Sequence, residues 1–487
     1  MTEWLPLVPA LLITLAGLAL MLADAIARDR ADLAMPTIVA FGAAGVVALG
    51  IWAGHVPMET PPVLRGLIAV DRFALFLQGT IALGGALAAA LAGGWFTEHE
   101  LERGELWPLL LFAGTGAMIL VAAVDLLVLF IGLETMSLAV YALVGLRRTH
   151  PKGPEAAIKY YLLGSFAAAI LLFGFALLYA VTGATEIGAI GRSLAGGAAS
   201  DPLATVALAL VLVGFAFKVS AVPFHMWTPD AYEGAPTPVT TFMAVVVKTA
   251  AFGAMLRFFF AAFPPTSPMG SSLLWPWIVA WLGILTMSLG NLVAMHQTNI
   301  KRLLAYSSIA HAGYVLLGLV AAWKIGDAGR AGVLFYLLAY TVSNIGAFAV
   351  VVYLGTKGAE SVDLADFAGL ARRHPAAGMA LALFMLSLAG VPPTGGFFGK
   401  LYVFRALMDA GLWWLVLIGL LNSAIGAYYY LWVIVVAYMK DPEPGAPTAK
   451  QMRSGYVAAA ILAAALLVLQ MGMFPGRFLA AALSATF

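Results

Sequence analysis

Three lysines and one glutamate stand where the chain is otherwise almost wholly apolar. They are Lys218 in L-V-G-F-A-F-K-V-S, Lys248 in F-M-A-V-V-V-K-T, Lys400 in G-G-F-F-G-K-L-Y and Glu134 in F-I-G-L-E-T-M-S-L. A charge at the bilayer centre costs at least ~2.5–3.5 kcal/mol on insertion scales, so such residues mark a proton or ion route before anything else. Burial penalises an ammonium and a nearby carboxylate stabilises it. At ~4 Å and an effective dielectric near 20 that attraction is about 4 kcal/mol, enough to decide whether an amine keeps its proton. Glu134 is the one carboxylate in mid-span, and we expect it to approach Lys218 as a switchable partner. The competing reading is an ion pair that only locks two helices, although buried pairs seldom repay their desolvation.

Lys248 is expected to act as a central relay. Lys400 follows the break Pro392-Pro393-Thr394-Gly395-Gly396 by a few residues. It is expected either to pass a proton on or to bond carbonyls that the prolines set free. Pro223 interrupts the span that carries Lys218, and freed backbone groups at membrane depth need protein or a wet cavity around them. His225 and His311 are secondary relay candidates. The hydroxyls of Tyr428, Tyr429 and Tyr430 could join the same axis, or pack as an aromatic stripe. A haem held by the two histidines is a rival reading. His55, His99, His150, His296 and His374 read as solvated, and Lys159, Arg257 and Arg405 as residues that snorkel or pair near helix ends.

The elements that position these groups follow from composition. The 487 residues are 62% hydrophobic and 10% charged, with a net charge of +2 and a mean hydropathy of +0.96. That is the composition of a polytopic membrane protein. The sequence has no cysteine, which removes disulfides, Fe–S clusters and Cys-ligated zinc. No Gly-rich nucleotide turn is visible, nothing points to nucleic acid, and no metal site is expected. The N-terminus reads as a first helix and not as a cleaved signal.

Apolar spans recur near 4–27, 35–54, 73–95, 107–124, 126–146, 156–181, 203–225, 239–262, 272–295, 301–323, 329–354, 376–408, 411–439 and 455–480. The fold class is therefore all-α, with about 14 transmembrane helices. The twelfth span would reach ~50 Å against a ~30 Å core, so it reads as two half-helices meeting at Pro392 and Pro393. The segment from Pro229 to Pro238 reads as a loop that turns the chain back. Fourteen of the 26 Lys and Arg follow odd spans or lie beside them, among them Arg28, Arg30, Arg103, Arg147, Lys301 and Lys357. Six follow even spans or lie at the termini. That asymmetry places the odd loops in the cytoplasm and both termini in the periplasm.

Tyr141-Ala-Leu-Val-Gly-Leu146 matches Tyr314-Val-Leu-Leu-Gly-Leu319, and Val222-Pro223 matches Val391-Pro392. Spans 4–8 and 9–13 thus form two five-helix repeats, each with one broken helix. Five is odd, so the second enters from the opposite side. The expected segments are 1–105, a three-helix lead; 106–265 and 266–440, the two repeats; and 441–487, a last helix.

The motifs L-E-T-M-S-L, K-V-S-A-V-P-F-H-M-W-T-P-D-A-Y-E-G-A-P-T-P-V-T and F-M-L-S-L-A-G-V-P-P-T-G-G-F-F-G-K resemble the antiporter-like membrane subunits of respiratory complex I. Those are related to the large subunits of multisubunit cation/proton antiporters, which remain the alternative. The resemblance covers roughly 105–440 and is strongest to the N subunits of bacterial NADH-quinone oxidoreductases. Lys400 stands where the M and L types carry a carboxylate, and no long lateral helix follows the last span. The resemblance implies that Glu134, Lys218, Lys248 and Lys400 are the proton-translocating quartet. It also implies a bacterial inner-membrane subunit with no cofactor of its own. FMN, Fe–S clusters and quinone would lie in partner subunits of the same complex, in its membrane and peripheral parts.

Overall fold

The computed structural model describes residues 4, 7–26, 32–54, 60–101, 104–148, 150–264, 274–356, 359–442 and 450–486. Arg28, Arg30, His55, Arg103 and Lys357 lie outside these segments. A three-helix lead, α1 (Val8–Ile26), α2 (Ala34–Trp52) and α3 (Arg72–Glu98), is followed by α4 (Leu106–Ala122), α5 (Leu126–Val144) and α6 (Lys152–Thr182). A short helix α7 (Ile187–Ala195) precedes α8 (Pro202–Lys218), α9 (Trp227–Gly234) and α10, which runs from 237 to 262. The second half comprises α11 (Leu274–Ala294), α12 (Ile300–Ile325), α13 (Asp327–Tyr353), α14 (Pro375–Ala389), α15 (Gly395–Asp409) and α16 (Trp413–Met439). It is closed by α17 (Gly455–Met473) and α18 (Pro475–Ser484). A two-residue antiparallel ladder, β1 (Gly355–Thr356) with β2 (Ala359–Glu360), is the strand structure among the described residues.

Short polar side chains start several of the helices. Asp71 accepts from the Ala74 amide, Asp125 from Leu127 and Val128, Asp201 from Leu203, and Asn299 from Lys301 and Arg302. Each satisfies N–H groups that the first turn leaves without partners. Only Ala123, Val124 and Asp125 separate α4 from α5, and the two helices then cross at a glycine. A Cβ on Gly116 would meet the Met136 backbone nitrogen at 2.3 Å. In the second half Gly313 packs on α11 in the same way: a Cβ there would meet the Met287 nitrogen at 2.6 Å.

The two halves repeat. Asp125 and Asn299 cap equivalent helices, and each pairs with the loop that follows the next helix, at Glu186 and Asp363. Loops after the fifth, seventh, ninth and eleventh spans meet one another through Lys152–Glu233, Arg302–Asp230 and Lys301–Glu360. Those after the second, fourth and sixth meet through Ile68↔Ala123 and Asp125↔Glu186. Equivalent caps therefore sit among different loop sets, as an inverted repeat requires. Helices α10, α12 and α13 are enclosed, whereas α1 is largely uncovered.

Three expectations need correction. The seventh span is not helical to 225: α8 ends at Lys218, because Pro223 has no N–H and disfavours helix before it. Residues after it do not simply turn the chain back, since Trp227–Gly234 is a helix; Pro229 falls in its first turn, where an absent N–H costs nothing. The last span is interrupted at Phe474 and resumes at Pro475. Both breaks contain a cis X-Pro bond, Val222–Pro223 and Pro392–Pro393.

Candidate functional site

Lys218 is the last residue of α8, and its amine donates to Ser137 Oγ at 2.6 Å. Ser137 in turn donates to the Leu133 carbonyl, and the rings of Tyr141 and Tyr160 lie 5.6 and 5.8 Å from the nitrogen. Glu134 lies one turn before Ser137 on the same helix. The two charges interact electrostatically, but no ion pair within 4.0 Å joins them. Its Oε1 is buried without a hydrogen-bond partner, while Ile131 and Leu138 of the same face are exposed. The break below Lys218 is satisfied by other groups. The Trp227 indole donates to the Phe217 carbonyl at 3.1 Å, Thr286 accepts from the Val222 amide at 2.9 Å, and Trp227 stacks on Tyr160 at 4.2 Å.

Lys248 follows a π-helical turn, Met243–Val247, inside α10. One extra residue per turn shifts the side chains that follow, and such turns recur at working sites. The Lys248 amine donates to the Ser308 carbonyl of α12 at 2.6 Å. Tyr340 donates to Ser308 Oγ at 2.8 Å, and the Tyr232 hydroxyl lies 3.3 Å from it.

His311 is one turn further along α12. Its Nδ1 is 2.6 Å from the Tyr336 hydroxyl and its Nε2 is 3.1 Å from that of Tyr430, which also bonds Ser307. Tyr429 donates to Asn291 at 3.0 Å, and Asn291 donates to the Tyr314 hydroxyl at 3.3 Å. Both His311 and Lys400 lie against the Tyr314 ring, with centroid distances of 6.0 and 5.1 Å. A cavity of about 10 Å³, the size of one water, touches His311, Tyr336, Ser343 and Ser387.

Lys400 lies in the second turn of α15. It donates to the Ala389 carbonyl at 2.8 Å, across the helix break, and to Ser423 Oγ at 2.9 Å. His225 stands at the first break, half-buried, with Nδ1 unpartnered; no hydrogen bond joins it to the row among the described residues. Tyr429 and Tyr430 enter the row, while Tyr428 points outward.

Several other charged residues pair. Arg257 grips Asp71 with two bonds of 2.7 Å, Lys159 holds Glu155 and Asp230, and Arg405 lies 3.8 Å from Asp409. On the odd-loop face Glu360 is opposed by burial. Lys301 and Arg147, with the Thr237 hydroxyl, outweigh that burial and hold its carboxyl below the ordinary carboxylate range. Lys301, counted by sequence as a loop residue, is buried and donates to the Ala235 carbonyl at 2.6 Å. His99 is also buried rather than solvated, packed on Trp95 at 4.3 Å with both ring nitrogens unpartnered. Among the described residues no cluster of three or more His, Asp or Glu forms a metal site.

Sequence reasoning did not single out Ser137, Ser308, Tyr336, Tyr340, Asn291 or Ser423. The only signal was polarity at helical spacing beside the charged residues.

Known proteins are similar to this chain over its whole length. A family model described as NADH:quinone oxidoreductase/Mrp antiporter, TM, matches residues 123–426. NADH-quinone oxidoreductase subunit N 1 of Sorangium cellulosum is 51% identical, over 98% of this chain and 97% of its own length. NADH-quinone oxidoreductase subunit N of Myxococcus xanthus is 42% identical over 98% and 96%. A chain of respiratory complex I from Thermus thermophilus superposes with a TM-score of 0.82 at 35% identity, covering 98% of this chain and 100% of that one. A chain of the Mrp complex from Dietzia sp. superposes at 0.83 with 23% identity, over 99% and 96%, and shares the fold. With two broken helices, a buried lysine row and full-length similarity all in agreement, the chain belongs to the antiporter-like membrane subunits of NADH-quinone oxidoreductase, in the subunit N family.

Proposed function

We propose that this chain is a non-redox, proton-translocating subunit of the complex, driven by quinone reduction in neighbouring subunits that hold FMN, Fe–S clusters and the quinone. One observation carries the reading. Lys218, Lys248 and Lys400 are buried, yet each donates only to neutral oxygens, Ser137 Oγ, the Ser308 carbonyl, and the Ala389 carbonyl with Ser423 Oγ. A buried ammonium held by a fixed carboxylate would keep its proton, whereas one held by neutral acceptors releases it at modest cost. Glu134 lies close enough to bias Lys218 and is not locked to it, so its movement loads or unloads that lysine. Lys248 takes the proton at the centre, His311 and the tyrosines carry it along α12, and Lys400 delivers it. The odd loops face the cytoplasm of a bacterial inner membrane and both termini face the periplasm. Segments 106–265 and 266–440 act as the two inverted units.

The test is Lys248→Arg beside Lys248→Ala in the assembled complex, reconstituted in vesicles. Arginine stays protonated in proteins, so both variants should reduce quinone with a strongly lowered proton output. Full pumping with arginine would make the lysine a fixed charge and end the relay reading.

A second reading of Lys400 has its own support, because the amine bonds a carbonyl set free by the helix break. On that reading Lys400 closes the break and carries no proton.

A further inference from the structure

A groove of about 510 Å³ opens between α2, α3, Leu338 of α13 and the terminal helix α18, away from the lysine row. Its walls are apolar or small: Phe41, Gly45, Val46, Leu49, Leu83 and Phe478. The volume falls in the range of ligand pockets. The groove lies along two spanning helices and is open on one side. Trp52 ends α2 and Arg477 stands in the first turn of α18, and both line the groove; Arg72 begins α3 beside Trp52. Arg477 lines the groove and makes no ion pair among the described residues; its guanidinium lies 5.4 Å from the Phe474 ring. Arg72 lies 5.9 Å from the Trp52 ring and has no carboxylate partner among the described residues. The Trp52 indole Nε1 is buried with no acceptor. Arg257–Asp71, Arg192–Glu186 and Arg330–Asp327, by contrast, form ion pairs.

An apolar trough at membrane depth, with two unneutralised guanidinium groups and an unsatisfied indole N–H at its interfacial end, complements a negatively charged headgroup above hydrocarbon. We propose that this groove is a binding site for an anionic phospholipid, its acyl chain lying along α2 and α3 and its phosphate held by Arg72, Arg477 and the Trp52 indole. A quinone offers no negative charge to these groups. A helix from a neighbouring subunit would leave both arginines unpaired unless it brought a carboxylate to the rim.

The experiment uses the whole assembled complex in vesicles containing equal amounts of phosphatidylglycerol and phosphatidylcholine, each with a photoreactive acyl chain. Adducts on peptides of α2, α3 and α18 are counted by mass spectrometry. Phosphatidylglycerol should be favoured about fivefold for each arginine. The double variant Arg72→Gln/Arg477→Gln should bring the ratio close to one. Gly79→Leu and Gly42→Leu fill the trough, since a Cβ at either position meets nothing within 4 Å, and each should abolish adducts of both lipids. Equal labelling by the two lipids in the native complex would overturn the proposal. So would adducts that persist in both leucine variants, loss of adducts to a competing quinone, or crosslinks to another subunit in place of lipid.

Discussion

Replacing Tyr430 with Phe removes one hydroxyl from the middle of the proposed row. That hydroxyl is the partner of His311 Nε2 at 3.1 Å and of Ser307. His311 keeps Tyr336 on Nδ1 but loses its second contact, so a protonated ring would have a buried N–H without an acceptor. An orphaned buried group costs about 1–3 kcal/mol. Borne by the transfer step, that slows it about 5- to 150-fold. The control is Thr341→Val, which deletes a buried hydroxyl from the Thr249–Thr341 contact of 3.3 Å, off the row. Proton output per quinone reduced, measured by dye quenching in vesicles of assembled complex, should fall in Tyr430→Phe and hold in Thr341→Val. Normal output in Tyr430→Phe, or an equal fall in both, would refute a route through His311 and Tyr430.

Asp71→Asn should weaken the clamp that ties the start of α3 to α10. With Asp71 partly exposed, about 2–3 kcal/mol is expected from breaking such a pair, read as a lower thermal midpoint of the complex with proton stoichiometry unchanged. Glu360 has a lowered folded pKa, so its contribution is present above the ordinary value of 4.5 and is lost as pH falls through the folded one. The native midpoint should therefore drop on acidification below about pH 4.5, and Glu360→Gln should remove that part of the slope.

The fold was legible because membrane helices announce themselves by length, and the two breaks by proline. What was not legible was the far side of each break. Trp227–Gly234 carries three polar residues and a proline, and it forms a helix because its partners, Tyr160 and Ser220 among them, come from elsewhere in the chain. The candidate lysines stood out because a charge in an apolar span is rare. Their acceptors did not, since Ser137 and Ser308 look like any helical serine until the opposing helix is in place. The same holds for Lys301 and His99, which lie near helix ends in sequence and are buried only by the packing of other loops.

The two breaks are satisfied differently, and that separates the roles of their lysines. At the first, the Phe217 carbonyl is taken by Trp227 and the Val222 amide by Thr286, so Lys218 has no part in holding the break. Its sole hydrogen-bond acceptor, Ser137, has the Leu133 carbonyl to donate to whether or not the lysine is present. At the second break, Ser387 occupies the position equivalent to Lys218 and accepts from the Gly396 amide at 3.2 Å, while Lys400 caps the Ala389 carbonyl. Lys218→Met should thus leave assembly intact and lower proton output alone. Lys400→Met should also lower proton output and, in addition, release a buried carbonyl, costing about 1–3 kcal/mol of stability. Lower proton output from the complex that does assemble, together with a lower thermal midpoint confined to Lys400→Met, would show that this lysine both carries protons and closes the helix break. Equal stability in the two variants would refute the structural share.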